Sequence, residues 1–313
     1  MTLRWIGFYI RALIVNVIST KALNAVLSVF GALWLFVEVT TYFFPTVIVF
    51  GTTKLPDAIR SNWPYFLAFG ILLALWQCKP RLAISHKLRG RDVVIEIATG
   101  DIFSLPGAVI IGSNTTFDTR VPTIISAQSI QGLFFKRYYS GEEQLVAEIS
   151  AGLHGVQSHE LSSNRVGNSK RYPFGTCVRL RPKERTGYLL AIAHINEHGT
   201  ASGSFEDLKN SLARLWEHIG TRGFKEPLLI PVLGTGFTRL PQCREEIVQE
   251  IIKSFVAACS ERTFTDKLTI VISPSDILNH NISLEELGDS HQYRSRGTKS
   301  VARFKVSPRI AVR

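Results

Sequence analysis

The sequence predicts an α/β protein, with a three-layer α/β/α domain around a mixed, mostly parallel sheet, preceded by an α-helical transmembrane hairpin. Three observations predict this class. Short apolar runs alternate with helical patterns from residue 91 onward, two long apolar runs precede residue 80, and basic residues flank those runs. Alternating strands and helices are typical of parallel sheets with helices on both faces.

Two apolar runs near the amino terminus predict transmembrane helices within residues 22–80. The runs cover residues 22–50 and 56–78, and a helix needs about 20 apolar residues to cross the hydrocarbon. Trp63 and Trp76 lie near the ends of the second run, where aromatic residues meet the membrane interface. The segment between the runs, 51–62, fits a hairpin loop. Residues 1–21 are expected either to lie along the interface as an amphipathic segment or to extend the first span.

The basic residues around these runs predict the orientation. Lysines and arginines precede residue 22 and fill a predicted basic linker, 81–91, whereas the loop carries only Lys54 and Arg60, offset by Asp57. The positive-inside rule then places both termini in the cytoplasm. Glu38 lies inside the first apolar run, so it either falls near one end of the span or faces a helix contact or pore in an oligomer.

The elements of the cytosolic domain, residues 92–284, follow from the periodicity of apolar residues. Strands are expected over residues 93–97, 107–112, 174–180, 187–194, 228–233 and 267–272. Helices are expected over residues 129–139, 142–151, 204–220 and 242–259. In such sheets the ligand site lies at the carboxyl ends of the parallel strands.

Three loops fall at that edge of the predicted sheet. Gly234-Thr235-Gly236 follows a buried strand and precedes a helix, which is either an anion-binding cradle or an ordinary tight turn. Asp101 follows the first strand and either accepts from an exocyclic amine or caps a helix. Asn114, Thr115 and Asp118 follow the second strand and either offer polar groups to a ribose or serve as turn residues.

Composition and charge narrow the partners only in part. The chain has 313 residues and a formal net charge of +11, which suits phosphorylated ligands, anionic lipid or nucleic acid. The four cysteines are scattered without a metal-binding spacing, which predicts free thiols and no metal site. The basic tail, 285–313, is expected to be attracted to membrane lipids, and the chain lacks a recognised nucleic-acid motif.

The residues Thr99-Gly100-Asp101-Ile102, Ile111-Gly112-Ser113-Asn114 and Pro231 to Phe237 resemble the three ligand loops of macro domains, the ADP-ribose-binding fold. The resemblance covers roughly residues 92–275. More narrowly, residues 114–119 followed by 125–134 resemble the macro domain variant of Thoeris anti-phage effectors, in which two transmembrane helices precede the macro domain.

The resemblance implies the site residues. It implies that Asp101 binds adenine beside the backbone of Ile102. It implies that the loop of Gly234, Thr235, Gly236 and Phe237 wraps the diphosphate and distal ribose. Ser113 and Asn114 match the loop beside that ribose, and Thr115 follows them. Asp118 matches an Asp of the variant family, and its charge suggests contact with a cationic part of the ligand.

The resemblance also implies a function in antiviral defence. A TIR-domain synthase is the implied functional partner, and a histidine–ADP-ribose conjugate is the implied signal. Binding is expected to drive a homo-oligomer that disrupts the membrane and ends in cell death or growth arrest. No cofactor is expected. Residues 119–124 replace the glycine run of hydrolytic macro domains, so we expect a binding module and not an enzyme. The alternative is a membrane-tethered ADP-ribosyl hydrolase.

Overall fold

The fold is described from a computed structural model of the chain. It describes residues 20–51, 53–77, 82–88, 90–161, 167–196, 200–234, 240–274 and 276–277. The chain divides into two compact units, one up to Arg81 and one from Leu82 onward.

The first unit consists mainly of helices. Helix α1 covers Thr20–Phe43. The short strands β1, Ile48–Phe50, and β2, Thr53–Lys54, pair antiparallel and lead into helix α2, Leu55–Ser61, and helix α3, Trp63–Gln77. Helix α1 has 24 residues, or about 36 Å at 1.5 Å per residue, which exceeds the ~30 Å of a bilayer core.

The second apolar run is not one straight helix. Asn62 ends α2 by donating its backbone N–H to the carbonyls of Ala58 and Ile59 and its side-chain amide to Ala58. Helices α2 and α3 meet there at a bend of 67°. Among the described residues, α1 alone is long and apolar enough for a span by itself, and a second crossing requires the bent pair to act together. The second span of the predicted hairpin therefore stays a prediction.

Helices α1 and α3 pack closely at one glycine. A Cβ on Gly70 would lie 2.9 Å from Cε1 of Phe30 and 3.0 Å from Cδ1 of Leu33. The remaining surface of this unit is apolar and open: Trp34 is 71% exposed and Tyr42 is 79% exposed.

The second unit is built on an eight-stranded sheet. Its strands are β3 Ala83–Lys87, β4 Val94–Thr99, β5 Ala108–Asn114, β8 Cys177–Leu180, β9 Gly187–Ile195, β10 Ala201–Ser202, β11 Leu228–Pro231 and β12 Lys267–Ile272. The order is β10-β9-β5-β11-β12-β4-β3, with β8 also pairing with β9. Strands β9, β5, β11, β12 and β4 run parallel, and β3, β8 and β10 run antiparallel to their neighbours. A separate hairpin joins β6, His159–Glu160, to β7, Lys170–Arg171.

Helices cover both faces of this sheet. Helix α4, Ile130–Tyr138, and helix α5, Glu142–Gly152, pack on one face, and helix α6, Phe205–Arg222, and helix α7, Arg244–Glu261, pack on the other. Each face has its own buried apolar cluster. The predicted three-layer α/β/α fold with a mixed, mostly parallel sheet is confirmed, and the predicted elements agree with the observed ones to within a few residues.

The segment 81–91, predicted as a linker, contains an edge strand of the sheet. Strand β3 pairs antiparallel with β4, and Leu82 accepts a hydrogen bond from the backbone N–H of Thr99 at 2.7 Å. Ile84 is 2% exposed and packs into the core. Arg91 donates to the carbonyl of Ser260 and the hydroxyl of Thr263 near the carboxyl end of α7. Arg91 therefore has a structural role in addition to the orientation signal expected of it.

Candidate functional site

The carboxyl ends of the parallel strands form one edge of the sheet, which we call the rim. Strand β4 ends beside Asp101, β11 ends beside Gly234, β5 ends at Asn114 and β9 ends at Ile195. Adjacent strands lie about 4.8 Å apart, so the three steps from β4 through β12 and β11 to β5 cover about 14 Å. Such a length suits an extended dinucleotide-like ligand better than a single small group.

Asp101 lies at the rim and caps a short helical turn. The turn covers Ile102–Ser104, and Oδ1 of Asp101 accepts from the backbone N–H of Phe103 at 3.0 Å. The carboxylate remains exposed. The N-cap role considered from the sequence is therefore present, and it leaves the carboxylate at the surface of the rim. The side chain of Ile102 is buried, so only the backbone of Ile102 can reach a ligand.

Arg185 holds the Asp101 loop in place, and sequence reasoning missed it. Its guanidinium donates to the carbonyls of Gly107 at 2.9 Å, Phe103 at 3.0 Å and Leu105. These partners are about eighty residues away in the chain, so no local pattern could have indicated them. Charge-assisted bonds to several carbonyls hold the segment that directly follows Asp101 in place.

Gly234 places a backbone position without a side chain at the rim. Its φ of +76° is a left-handed conformation that suits glycine, and a Cβ there would lie 2.4 Å from Cδ1 of Leu240. The backbone N–H of Leu240 donates to the carbonyl of Gly234 at 3.1 Å and brings the chain back to the rim. Thr235, Gly236 and Phe237 lie outside the described residues, so their predicted contacts stay predictions.

The loop after β5 forms a buried polar cluster. Oδ1 of Asn114 accepts from the backbone N–H of Thr116 at 3.2 Å and of Asp118 at 3.1 Å, and Nδ2 of Asn114 donates to Oδ2 of Asp118 at 3.0 Å. Oδ2 of Asp118 also accepts from the hydroxyl of Thr116 at 2.6 Å. Turn chemistry, the alternative considered for these residues, accounts for both side chains.

Asp118 is buried and hydrogen-bonded within the domain, and its expected contact with a cationic part of a ligand stays a prediction. The residue is 1% exposed, and Oδ1 accepts from the backbone N–H of Asn168 at 2.7 Å. A Cβ on Gly167 would lie 2.4 Å from that oxygen. A buried carboxylate needs such donors, because an unsatisfied one is costly. Asp118 fixes the loop after β5 against the segment before β7.

Ser113 and Thr115 are both buried, with different partners. Oγ of Ser113 has no hydrogen-bond partner among the described residues. Oγ1 of Thr115 lies 2.7 Å from Nδ1 of His194, whose ring lies 4.2 Å from that of Phe174. Burial, and secondarily Arg171, lowers the pKa of His194, so the imidazole is neutral at pH 7. His194 is thus a packed histidine at the rim.

The described residues hold no candidate metal site, and their one described cavity lies away from the rim. No group of three His, Cys, Asp or Glu side chains among them is placed to hold a metal ion. A cavity of about 420 Å³, lined by Lys87, Leu88, Gly90, Arg91 and Asp92, lies at the amino end of β4, which is opposite the rim.

Comparison with known proteins identifies the domain. Residues 95–273 match the family model described as Thoeris protein ThsA, macro domain. The chain is 27% identical over 164 residues to Thoeris protein ThsA of Bacillus amyloliquefaciens (strain Y2), an alignment that covers 50% of this chain and 52% of the relative. The chain thus spans about half the length of this curated relative.

Solved macrodomains are more distant. A mutant of the Oceanobacillus iheyensis macrodomain is 13% identical, with a TM-score of 0.44, covering 67% of this chain and 95% of its own. The macrodomain of Trypanosoma brucei, solved in complex with ADP-ribose, is 10% identical, with a TM-score of 0.39, covering 60% of this chain and 68% of its own.

Proposed function

Because the chain belongs to the ThsA macro domain family of Thoeris proteins, we propose that its macro domain binds an ADP-ribose conjugate at the rim as the sensor of a membrane-anchored anti-phage effector. One observation carries this proposal most directly. The exposed carboxylate of Asp101 and the glycine turn at Gly234 lie at the same edge of the sheet. The strands that precede them, β4 and β11, are separated by one strand, β12.

The spacing of the rim supports the assignment of each ligand part. Asp101 would accept a hydrogen bond from the amine of adenine, and the backbone after β11 would donate to the diphosphate. Asn114 and its neighbours at the end of β5 would lie beside the second ribose. The ends of β4 and β5 are separated by about 14 Å, and the diphosphate spans the interval between them.

Calorimetric titration of the full-length protein in detergent with ADP-ribose tests the site. Asp101→Ala is expected to weaken binding by about tenfold or more, since a hydrogen bond to a charged group contributes about 1.5–3 kcal/mol. Asp92→Ala is the matched control, because Asp92 lies 94% exposed beside the opposite end of β4. Equal affinities for the two variants would reject the assignment of Asp101.

We propose that the domain binds its ligand without hydrolysing it. Hydrolysis needs a group that positions water against the distal ribose, and Asn114 is the residue at that point of the rim. Its amide is already engaged on both atoms with Thr116 and Asp118. Incubation with an ADP-ribosylated peptide should therefore release no ADP-ribose. Turnover that disappears in Asn114→Ala would favour the alternative, a membrane-tethered hydrolase.

We propose that the first unit anchors the protein in the bacterial inner membrane with two crossings and both termini in the cytoplasm. The length of α1 and its exposed apolar side chains support one crossing, and the apolar α2–α3 pair would supply the second. A membrane-impermeant thiol reagent should label Asp57→Cys in intact spheroplasts, but the native, exposed Cys243 only after permeabilisation. Labelling of both from outside would contradict this topology.

The proposed signal is histidine–ADP-ribose from a TIR-domain synthase, and the proposed response is assembly of several chains that disrupts the membrane. The ligand must bind the assembled form better than the resting form, and a shift from about 1% to 99% assembled needs about 5.5 kcal/mol of difference. Native mass spectrometry with and without the conjugate would report ligand mass and stoichiometry together. Binding without a change of stoichiometry would contradict ligand-driven assembly.

A further inference from the structure

We propose that the ends of β5 and β9 form a distal subsite that accepts a negatively charged group attached beyond the second ribose of the ligand. This inference rests on the proposed function. The order of the strands gives the location: the adenine end lies at β4, the diphosphate at β11 and the second ribose at β5. Strand β9 is the next parallel strand, so its end meets whatever the second ribose carries.

Thr115 joins the parts of this subsite. Its hydroxyl lies 2.7 Å from Nδ1 of His194 at the end of β9. Its carbonyl accepts from the backbone N–H of Tyr172 at 2.8 Å, which fixes the segment that carries Arg171 and Phe174 beside the same point. The ring of Phe174 lies against His194 at 4.2 Å. Two flat rings and a hydroxyl therefore meet at one end of the rim, and Arg171 directly precedes the residue whose backbone is bonded there.

Arg171 supplies the charge of the subsite. Its Nε is buried and has no hydrogen-bond partner among the described residues. A buried donor without a partner is costly, so a ligand atom that accepted from it would relieve that cost. Arginine binds carboxylate and phosphate groups through paired, charge-assisted hydrogen bonds. Burial lowers the pKa of His194, Arg171 lowers it further, and the carboxylate of Asp207 at the start of α6 raises it.

The shared chemistry is an anion, which either a carboxylate or a phosphate could supply, and matched ligands distinguish the two. The full-length protein in detergent is titrated with four ligands: ADP-ribose, its 1″-O-methyl derivative, its 1″-phosphate, and a derivative that carries a carboxylate at the 1″ position. The O-methyl group adds no charge, so the second ligand is called the neutral derivative. The original protein is expected to bind at least one anionic ligand about tenfold or more tightly than the neutral derivative, or about 1.4 kcal/mol.

Arg171→Gln should reduce that preference to within about twofold. Lys170→Gln, the exposed neighbour on the same hairpin, should keep the full preference. Arg171→Lys should keep part of it, because the charge remains while the paired geometry is lost. The thermal midpoint of each variant checks that the domain is folded.

An anion preference that survives in Arg171→Gln would overturn this subsite, as would ADP-ribose binding with no preference for either anion. Failure of the original protein to bind any of the four ligands would instead overturn the proposed function, and the subsite with it. The two failures are thus distinguishable in one set of titrations.

Discussion

The two units of this chain place their apolar side chains in opposite ways. In residues 20–77, large apolar side chains such as Trp34, Leu35 and Tyr42 are more than 60% exposed, and only a few small or branched ones are buried. In the described part of residues 82–277, only Val121, Leu133, Val146 and Phe224 are large, apolar and exposed. Exposed apolar surface of the first kind is costly in water, which supports the proposal that the first unit lies in the bilayer.

The largest effect that tests this comparison should come from matched tryptophans. Trp216 is 1% exposed and packs against Phe255 and Phe264, whereas Trp34 is 71% exposed. Trp216→Ala is expected to destabilise the macro domain by about 3–5 kcal/mol, and Trp34→Ala is expected to leave it unchanged. Hydrogen exchange of the β5 and β11 amides in the full chain reports the difference. Equal protection in the two variants would contradict the division into separate units.

Glu38 is the exception within the exposed apolar surface. It is exposed on α1, inside the apolar window Val26–Phe43. A carboxylate near the centre of a span costs about 2.5–3.5 kcal/mol, so Glu38→Leu should raise the efficiency of insertion of the full chain into membrane vesicles. Thr41→Leu is the control, because the Thr41 hydroxyl already donates to the carbonyl of Val37. No difference between the two variants would place Glu38 near the end of the span.

A pair of glycines tests how the first unit holds together. Gly70 faces Phe30 and Leu33, whereas a Cβ on Gly31 would meet nothing within 4 Å. Gly70→Val should weaken the packing of α1 on α3 by about 1–3 kcal/mol, and Gly31→Val should not. Titration with a denaturing detergent, followed by tryptophan fluorescence, measures the change. A lower midpoint for Gly31→Val alone would mean that other contacts hold this unit together.

The smallest effect should appear with pH, and only in the macro domain. Burial lowers the pKa of both His194 and His218. The positive charge of Arg171 lowers the pKa of His194 further, and that of Arg222 lowers the pKa of His218 further. Below pH 6.5 the unfolded chain therefore binds more protons than the folded one. The free energy of unfolding is highest above the unfolded histidine pKa of about 6.5, and it decreases as the pH falls from there through the lower pKa values of the folded state. The thermal midpoint should decline below pH 6.5, and less steeply in His218→Gln. An unchanged slope would remove His218 from this account.

The sequence predicted most of the macro domain because its central elements have strong, local patterns. Strand β12 was expected at its observed bounds, and α6 was predicted from its single apolar face; the structure shows that Ser204 is its N-cap. Strand β3 was missed because a short edge strand with basic neighbours resembles a membrane flank. The bend at Asn62 lies where the predicted loop 51–62 meets the second apolar run, and the end of that loop forms the short helix α2 instead.

The candidate site was predictable only as a set of loops. Strand order and glycine spacing placed Asp101 and Gly234 at one edge. The direction of a polar side chain depends on distant partners, so Asp118 turned inward towards Asn168, and Arg185 was invisible until its carbonyl partners were brought together. Local sequence carries no information about such long-range contacts.

The position of Leu82 has a mechanical consequence. Its carbonyl accepts a hydrogen bond from the backbone N–H of Thr99, two residues before Asp101, so the chain enters the macro domain beside the proposed adenine end of the rim. Tension transmitted along the backbone from residue 81 would separate β3 from β4 one hydrogen bond at a time, beginning at the Ala83–Ala98 pair. A ligand bound tightly at the Asp101 loop would then oppose the first step of this separation. The short strand β3 would thus couple ligand binding to the response of the domain to tension.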